Sequence, residues 1–139
     1  MEKQQWNRVQ AWAVELARVI EKHGGLPFQY GVSDCGVLAA DAVQAVLGED
    51  ILRDYRGYKT KAGAGRILRK AGCENIAELF ARHFKEGDKS AAMRGDIGVV
   101  DFNGEICGGV FTGSGFACKG ETGIFFADYT QITRVFEVR

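Results

Sequence analysis

The run Arg94-Gly95-Asp96-Ile97-Gly98-Val99-Val100-Asp101-Phe102-Asn103-Gly104-Glu105-Ile106-Cys107-Gly108-Gly109-Val110-Phe111 marks a change in the character of the chain. Before it, apolar residues recur at helical spacing. From it onward they come in short, β-branched runs broken by glycine. Residues 97–102 and 105–111 flank Asn103-Gly104, a dipeptide that tolerates the two positive φ angles of a type I′ turn, so the run predicts an antiparallel hairpin. Further strands are expected over 115–118, near 124–126 and over 132–138, the last with Ile132, Arg134, Phe136 and Val138 on one face.

The part before Arg94 reads as four helices. Trp6, Val9, Trp12, Ala13, Leu16, Val19 and Ile20 form one apolar stripe, which should end near His23-Gly24-Gly25. The two tryptophans read as core packing. A linker over 24–33 holds the only proline, Pro27. A second helix should start at Ser33-Asp34, with Ser33 as its cap and Asp34 complementing the helix dipole. It carries Val37, Leu38, Val43, Val46 and Leu47 and ends at Gly48. Tyr55-Arg56-Gly57-Tyr58 reads as a loop, and its aromatic and basic side chains as a packed turn rather than a binding site. Thr60 can cap a third helix burying Ala64, Ile67 and Leu68, and a fourth carries Ile76, Leu79, Phe80 and Phe84. Helices first and antiparallel strands later indicate an α+β fold, expected as one domain over 1–139, helical over 1–93 and β over 94–139 with about five strands.

The 139 residues suit one core, with 46% hydrophobic and 26% charged residues. Eighteen basic and eighteen acidic residues cancel, and no basic stripe suggests a nucleic-acid footprint. No apolar run approaches the roughly 20 residues of a membrane span. The polar start, Met1-Glu2-Lys3-Gln4-Gln5, does not look like a secretory signal. A protein made in the cytosol is the expectation. Cys35, Cys73, Cys107 and Cys118 contain no CxxC pair, and free thiols are expected rather than disulfides. No cofactor and no metal is expected.

Phe28-Gln29-Tyr30-Gly31-Val32-Ser33-Asp34-Cys35-Gly36-Val37-Leu38 carries the chemistry. It places Cys35 in the first turn of a helix, where backbone N–H groups and the dipole favour thiolate and can hold an oxyanion. Asp34 opposes that, because a neighbouring carboxylate disfavours a second negative charge. A small buried cysteine at a helix start is the bland alternative. Gly113-Ser114-Gly115 is not followed by a helix, so it lacks the anion-binding mechanism of a phosphate loop. Asp96 and Asp101 read as strand-end and turn residues.

Tyr30-Gly31, then Asp34-Cys35, then an amphipathic helix resembles the nucleophile motif of the NlpC-type papain-like cysteine peptidases. Those proteins usually continue Ser-Gly where this chain has Gly36-Val37. Arg94-Gly95-Asp96-Ile97 and Ile106-Cys107-Gly108-Gly109-Val110-Phe111-Thr112-Gly113 resemble that family's two central strands. The resemblance covers most of the chain and implies a papain-like fold, with helices packed on an antiparallel sheet. More narrowly, the pattern looks like a group of small phage and prophage proteins of this superfamily, encoded among tail genes. The resemblance implies catalytic-site positions at Cys35, Tyr30 and Asp34, with Cys107 at the family's histidine position and Cys118 near its third polar position. A thiol cannot be oriented on one side while shuttling a proton on the other, as imidazole can. The two histidines, His23 at the end of the first helix and His83 on the fourth, read as solvated surface residues, with His23 a reserve base.

Three functions follow. The first is a non-catalytic adaptor in a phage tail tip, partnered by tail hub or baseplate proteins. It would pass from the bacterial cytoplasm to the virion tail, binding no nucleic acid and spanning no membrane. The second is an active cysteine amidase on peptidoglycan with Cys35 as nucleophile. The third is a thiol site, redox or metal-holding, if Cys35, Cys107 and Cys118 converge.

Overall fold

The computed structural model describes residues 7–139, so the expected place of Trp6 in the first helix lies outside the described residues. The helices are α1 (Trp12–Gly24), α2 (Cys35–Leu47), α3 (Lys61–Lys70) and α4 (Ile76–His83). The strands are β1 (Glu86–Gly87), β2 (Ile97–Phe102), β3 (Glu105–Thr112), β4 (Gly115–Lys119), β5 (Ile124–Ala127) and β6 (Ile132–Phe136). They form one six-stranded sheet in the order β1-β6-β2-β3-β4-β5, antiparallel at every pairing. The fold is α+β. Its sixth strand, the two-residue β1, was not expected. It exists only by pairing Glu86 and Gly87 with Phe136 and Val135.

The β2–β3 hairpin turns where expected. Asn103 and Gly104 have φ of 55° and 92°, and the Asp101 carboxylate accepts the Gly104 N–H at 2.6 Å. The same Asn-Gly geometry fixes the register that pairs Val100 with Cys107.

The sheet has an apolar core on each face. On one, Ile97, Val99, Val110, Ala117 and Phe136 pack with Val37, Leu38, Val43 and Val46 of α2, Leu79 and Phe80 of α4, and Leu16 of α1. Phe80 meets Phe136 edge-on at 5.8 Å between ring centroids. On the other, Val100, Phe116, Cys118, Ile132 and Val135 form a smaller cluster. A methyl group at Gly109 would stand 2.5 Å from the Phe116 ring and 2.6 Å from the Ala117 carbonyl oxygen. Glycine there lets β3 approach β4 over that ring.

Asp96 ties the ends of the described chain together. Its buried carboxylate accepts from Arg8, from Arg139 and from the N–H groups of Met93 and Val138. Arg8 also lies over the Trp12 ring, 4.3 Å from its centroid. Trp12, Val19 and Ile20 pack partly buried against the core, whereas Val9 precedes the helix and is exposed. No helix of the described residues is long and apolar enough to cross a membrane.

Candidate functional site

Cys35 opens α2, and Asp34, not Ser33, is the N-cap. The Asp34 side chain accepts from the Val37 N–H at 2.8 Å. Its second oxygen accepts from the Gly31 N–H at 2.8 Å and from the Tyr58 hydroxyl at 2.7 Å. One buried carboxylate thus fixes the helix start, the preceding loop and the Tyr55–Tyr58 segment. Gly31 is required at its place: φ is +82°, and a Cβ would fall 2.1 Å from the Tyr58 carbonyl oxygen. Burial, and then the charge and hydrogen bond of Asp34, push the Tyr58 hydroxyl well above the usual phenol range.

Ser33 has another task. Its Oγ is hydrogen-bonded to His23 Nδ1 at 2.7 Å, while His23 Nε2 meets Asp41 Oδ2 at 2.8 Å. His23 and Ser33 are fully enclosed. His23 is therefore not a solvated surface residue, as its position at a helix end suggested. Both ring nitrogens are engaged away from Cys35, which also removes it as a reserve base. The Asp41 carboxylate is shared with Arg56 at 3.2 Å and Lys22 at 3.6 Å. His83 is exposed on α4, as expected.

An open cleft of about 620 Å³ lies over the start of α2. Cys35, Tyr30 and Asp34 line it, and Cys107 enters from β3. Tyr55 and Tyr58 line it as well, so the expected packed turn is also a wall. Leu52, Ile67, Leu68, Ile76, Phe102 and Phe125 make most of the remaining surface apolar. Lys61 and Glu105 lie among the lining residues and pair at 3.0 Å. The three residues expected to bury in α3 are only half-buried, because they face this opening.

Cys35 and Cys107 shift each other's thiols in opposite directions. The hydrogen bond with Cys107, then burial, pushes the Cys35 thiol far up. The same hydrogen bond pulls Cys107 below the ordinary thiol range, against the effect of burial. The helix start does not make Cys35 a ready thiolate, because a neighbouring sulfur and desolvation outweigh the dipole. Cys35 Sγ also points at the Lys119 carbonyl oxygen, 4.0 Å away.

Cys118 lies on β4, adjacent to the strand of Cys107, but it is enclosed in the second core cluster and does not line the cleft. Burial first, then Cys107, pushes its thiol up to about 12. Cys107 bridges the two environments: it packs against that cluster and borders the cleft. Among the described residues, no group of three or more His, Cys, Asp or Glu side chains could hold a metal. All four cysteines are free.

Lys119 is a further buried group at the site. Its ammonium donates to the His23 carbonyl oxygen at 2.6 Å and to that of Leu26. This pins the end of α1 and the linker to β4, beside the Cys35 loop. The sequence offered no signal for it beyond a lysine on an otherwise apolar strand.

A model of a domain family matches residues 7–138, and thus the helix start, the cleft and both core clusters. The chain belongs to the DUF6950 family. That family is described as a domain of unknown function. No curated protein and no solved structure matches the chain. For this DUF6950 domain the site itself has to carry the functional reading.

Proposed function

We propose that this DUF6950 domain is a non-catalytic adaptor on an NlpC-like, papain-like scaffold, built into the tail tip of a phage or prophage. The observation that supports the non-catalytic part is the pairing of Cys35 with Cys107, while His23 is locked between Ser33 and Asp41. Amide hydrolysis by cysteine needs a thiolate, a proton for the leaving amine and donors for the oxyanion. Here the hydrogen bond with Cys107 and burial push the Cys35 thiol far up, and its neighbour is a thiol rather than an imidazole. No histidine lines the cleft among the described residues. The assembly role rests on the sequence resemblance, and the partners it implies are tail hub or baseplate proteins.

A cysteine amidase acting on peptidoglycan is the second reading. It is favoured by one feature, the position of Cys35 at a helix start in an open cleft of about 620 Å³.

The assembly role is tested by purifying tail particles from a host that produces this chain and measuring its copy number per particle. The account expects a fixed stoichiometry that Cys35→Ala leaves unchanged. A particle-free protein would count against the adaptor reading.

A further inference from the structure

We infer that Cys35 and Cys107 form a thiol–disulfide exchange pair, closed to a disulfide by small-molecule disulfides and reopened by thiols. This goes beyond the adaptor reading and does not depend on the tail assignment. It stands first on placement. Both residues line the same open cleft, one at the first position of α2 and the other on β3. The backbones at the two sites are in contact, since a methyl group at Gly108 would stand 3.1 Å from the Cys35 carbonyl oxygen. Both thiols are only partly buried, so a small reagent can reach them, whereas Cys73 and Cys118 are enclosed.

The order of events follows from the opposite shifts of the two thiols. Cys107 is the thiol that its hydrogen bond with Cys35 pulls below the ordinary range, so it is the attacking group. Its thiolate attacks one sulfur of an oxidised small-molecule disulfide. The disulfide bond breaks, and the leaving thiolate takes a proton from solvent. Cys107 now carries a mixed disulfide and no negative charge. The hydrogen bond and charge of Cys107, which held the Cys35 proton, are then gone; burial and Cys118 still raise the thiol, and the Lys119 carbonyl contact lowers it. Cys35 loses its proton and attacks the Cys107 sulfur. A second small thiol departs, taking up a proton. In sum, two protein thiols and one small disulfide give one protein disulfide and two small thiols. The protein is oxidised by two electrons and the reagent reduced by two.

Both cysteines lie in the cleft wall, so closing the bond would join α2 covalently to β3 at the edge of the cleft.

The test uses the full reduced chain, incubated with oxidised glutathione under native conditions and quenched with acid. Intact mass and a peptide map are read. The account predicts a loss of two hydrogens, peptides containing Cys35 and Cys107 joined to each other, and no retained glutathione. Cys35→Ser should trap glutathione on Cys107, and Cys118→Ala should still close the Cys35–Cys107 bond. Three wild-type outcomes would each overturn the inference: retained glutathione without closure, a bond between Cys107 and Cys118, or no reaction by folded protein whose unfolded form reacts. The wild-type map decides the matter even where a variant fails to fold.

Discussion

His23→Ala should be among the most damaging single substitutions in this chain, although the residue ends a helix and carries a polar ring. The imidazole is completely enclosed and bonded at both nitrogens, at 2.7 Å to Ser33 and 2.8 Å to Asp41. Truncation leaves a cavity and strands the Ser33 hydroxyl, which is also buried. An unpaired buried hydroxyl costs about 1–3 kcal/mol. Removing a buried ring costs up to about 3–5 kcal/mol when the site does not collapse. Asp41 contributes less to the penalty, because Arg56 and Lys22 still reach its carboxylate. A total loss of about 3–5 kcal/mol is expected by urea denaturation. Ser33→Ala should cost about 1–2 kcal/mol alone, and the double variant should cost less than the sum by a similar amount. A loss below about 1 kcal/mol for His23→Ala, or strict additivity with Ser33→Ala, would refute the reasoning.

Two further outcomes follow from the same packing. Burial works to raise the Asp41 carboxyl, but the His23 hydrogen bond and the nearby cations hold it below the usual carboxylate range. The stability this gives is therefore present above the unfolded value of roughly 3.9 and is lost as pH falls further. Asp41→Asn should flatten the acid limb of a stability–pH curve, and an unchanged limb would contradict the assignment. Gly31→Ala should destabilise the fold by about 2–4 kcal/mol, since it needs an alanine at positive φ and a backbone shift. A circular-dichroism melt matching wild type would show that the loop is not fixed as described.

Much of the scaffold was legible because its signals are local. Asn103-Gly104 announces its turn through backbone sterics alone, Gly48 ends α2 in the left-handed conformation, and Thr60 caps α3. Cys35 at a helix start was readable for the same reason. Other features depend on partners distant in sequence. The partners of His23 lie 10 and 18 residues away on other elements, and nothing local separates a buried histidine from a solvated one at a helix end. Ser33 reads as a cap because serine is a good one, yet its hydroxyl is needed by His23 and Asp34 takes the cap. Strand β1 has no pattern of its own and is created by β6. The family resemblance brings the three cysteines to one site, but the neighbouring strands place Cys118 in the core and only Cys107 at the cleft. The pull of sulfur on sulfur, which reverses the expected effect of the helix dipole on Cys35, was likewise outside the reach of pattern.

The central claim is that this cleft presents a cysteine without the means to hydrolyse an amide. The most direct measurement incubates purified cell-wall material with wild-type protein and with Cys35→Ala, and follows soluble products by mass spectrometry. Loss of general acid–base help alone typically costs about 10²–10⁴-fold in rate. The account predicts no product in the wild-type reaction beyond that of the variant. Stem-peptide fragments released by wild type and absent with Cys35→Ala would contradict it, and would show that Cys107 or another cleft residue supplies the proton.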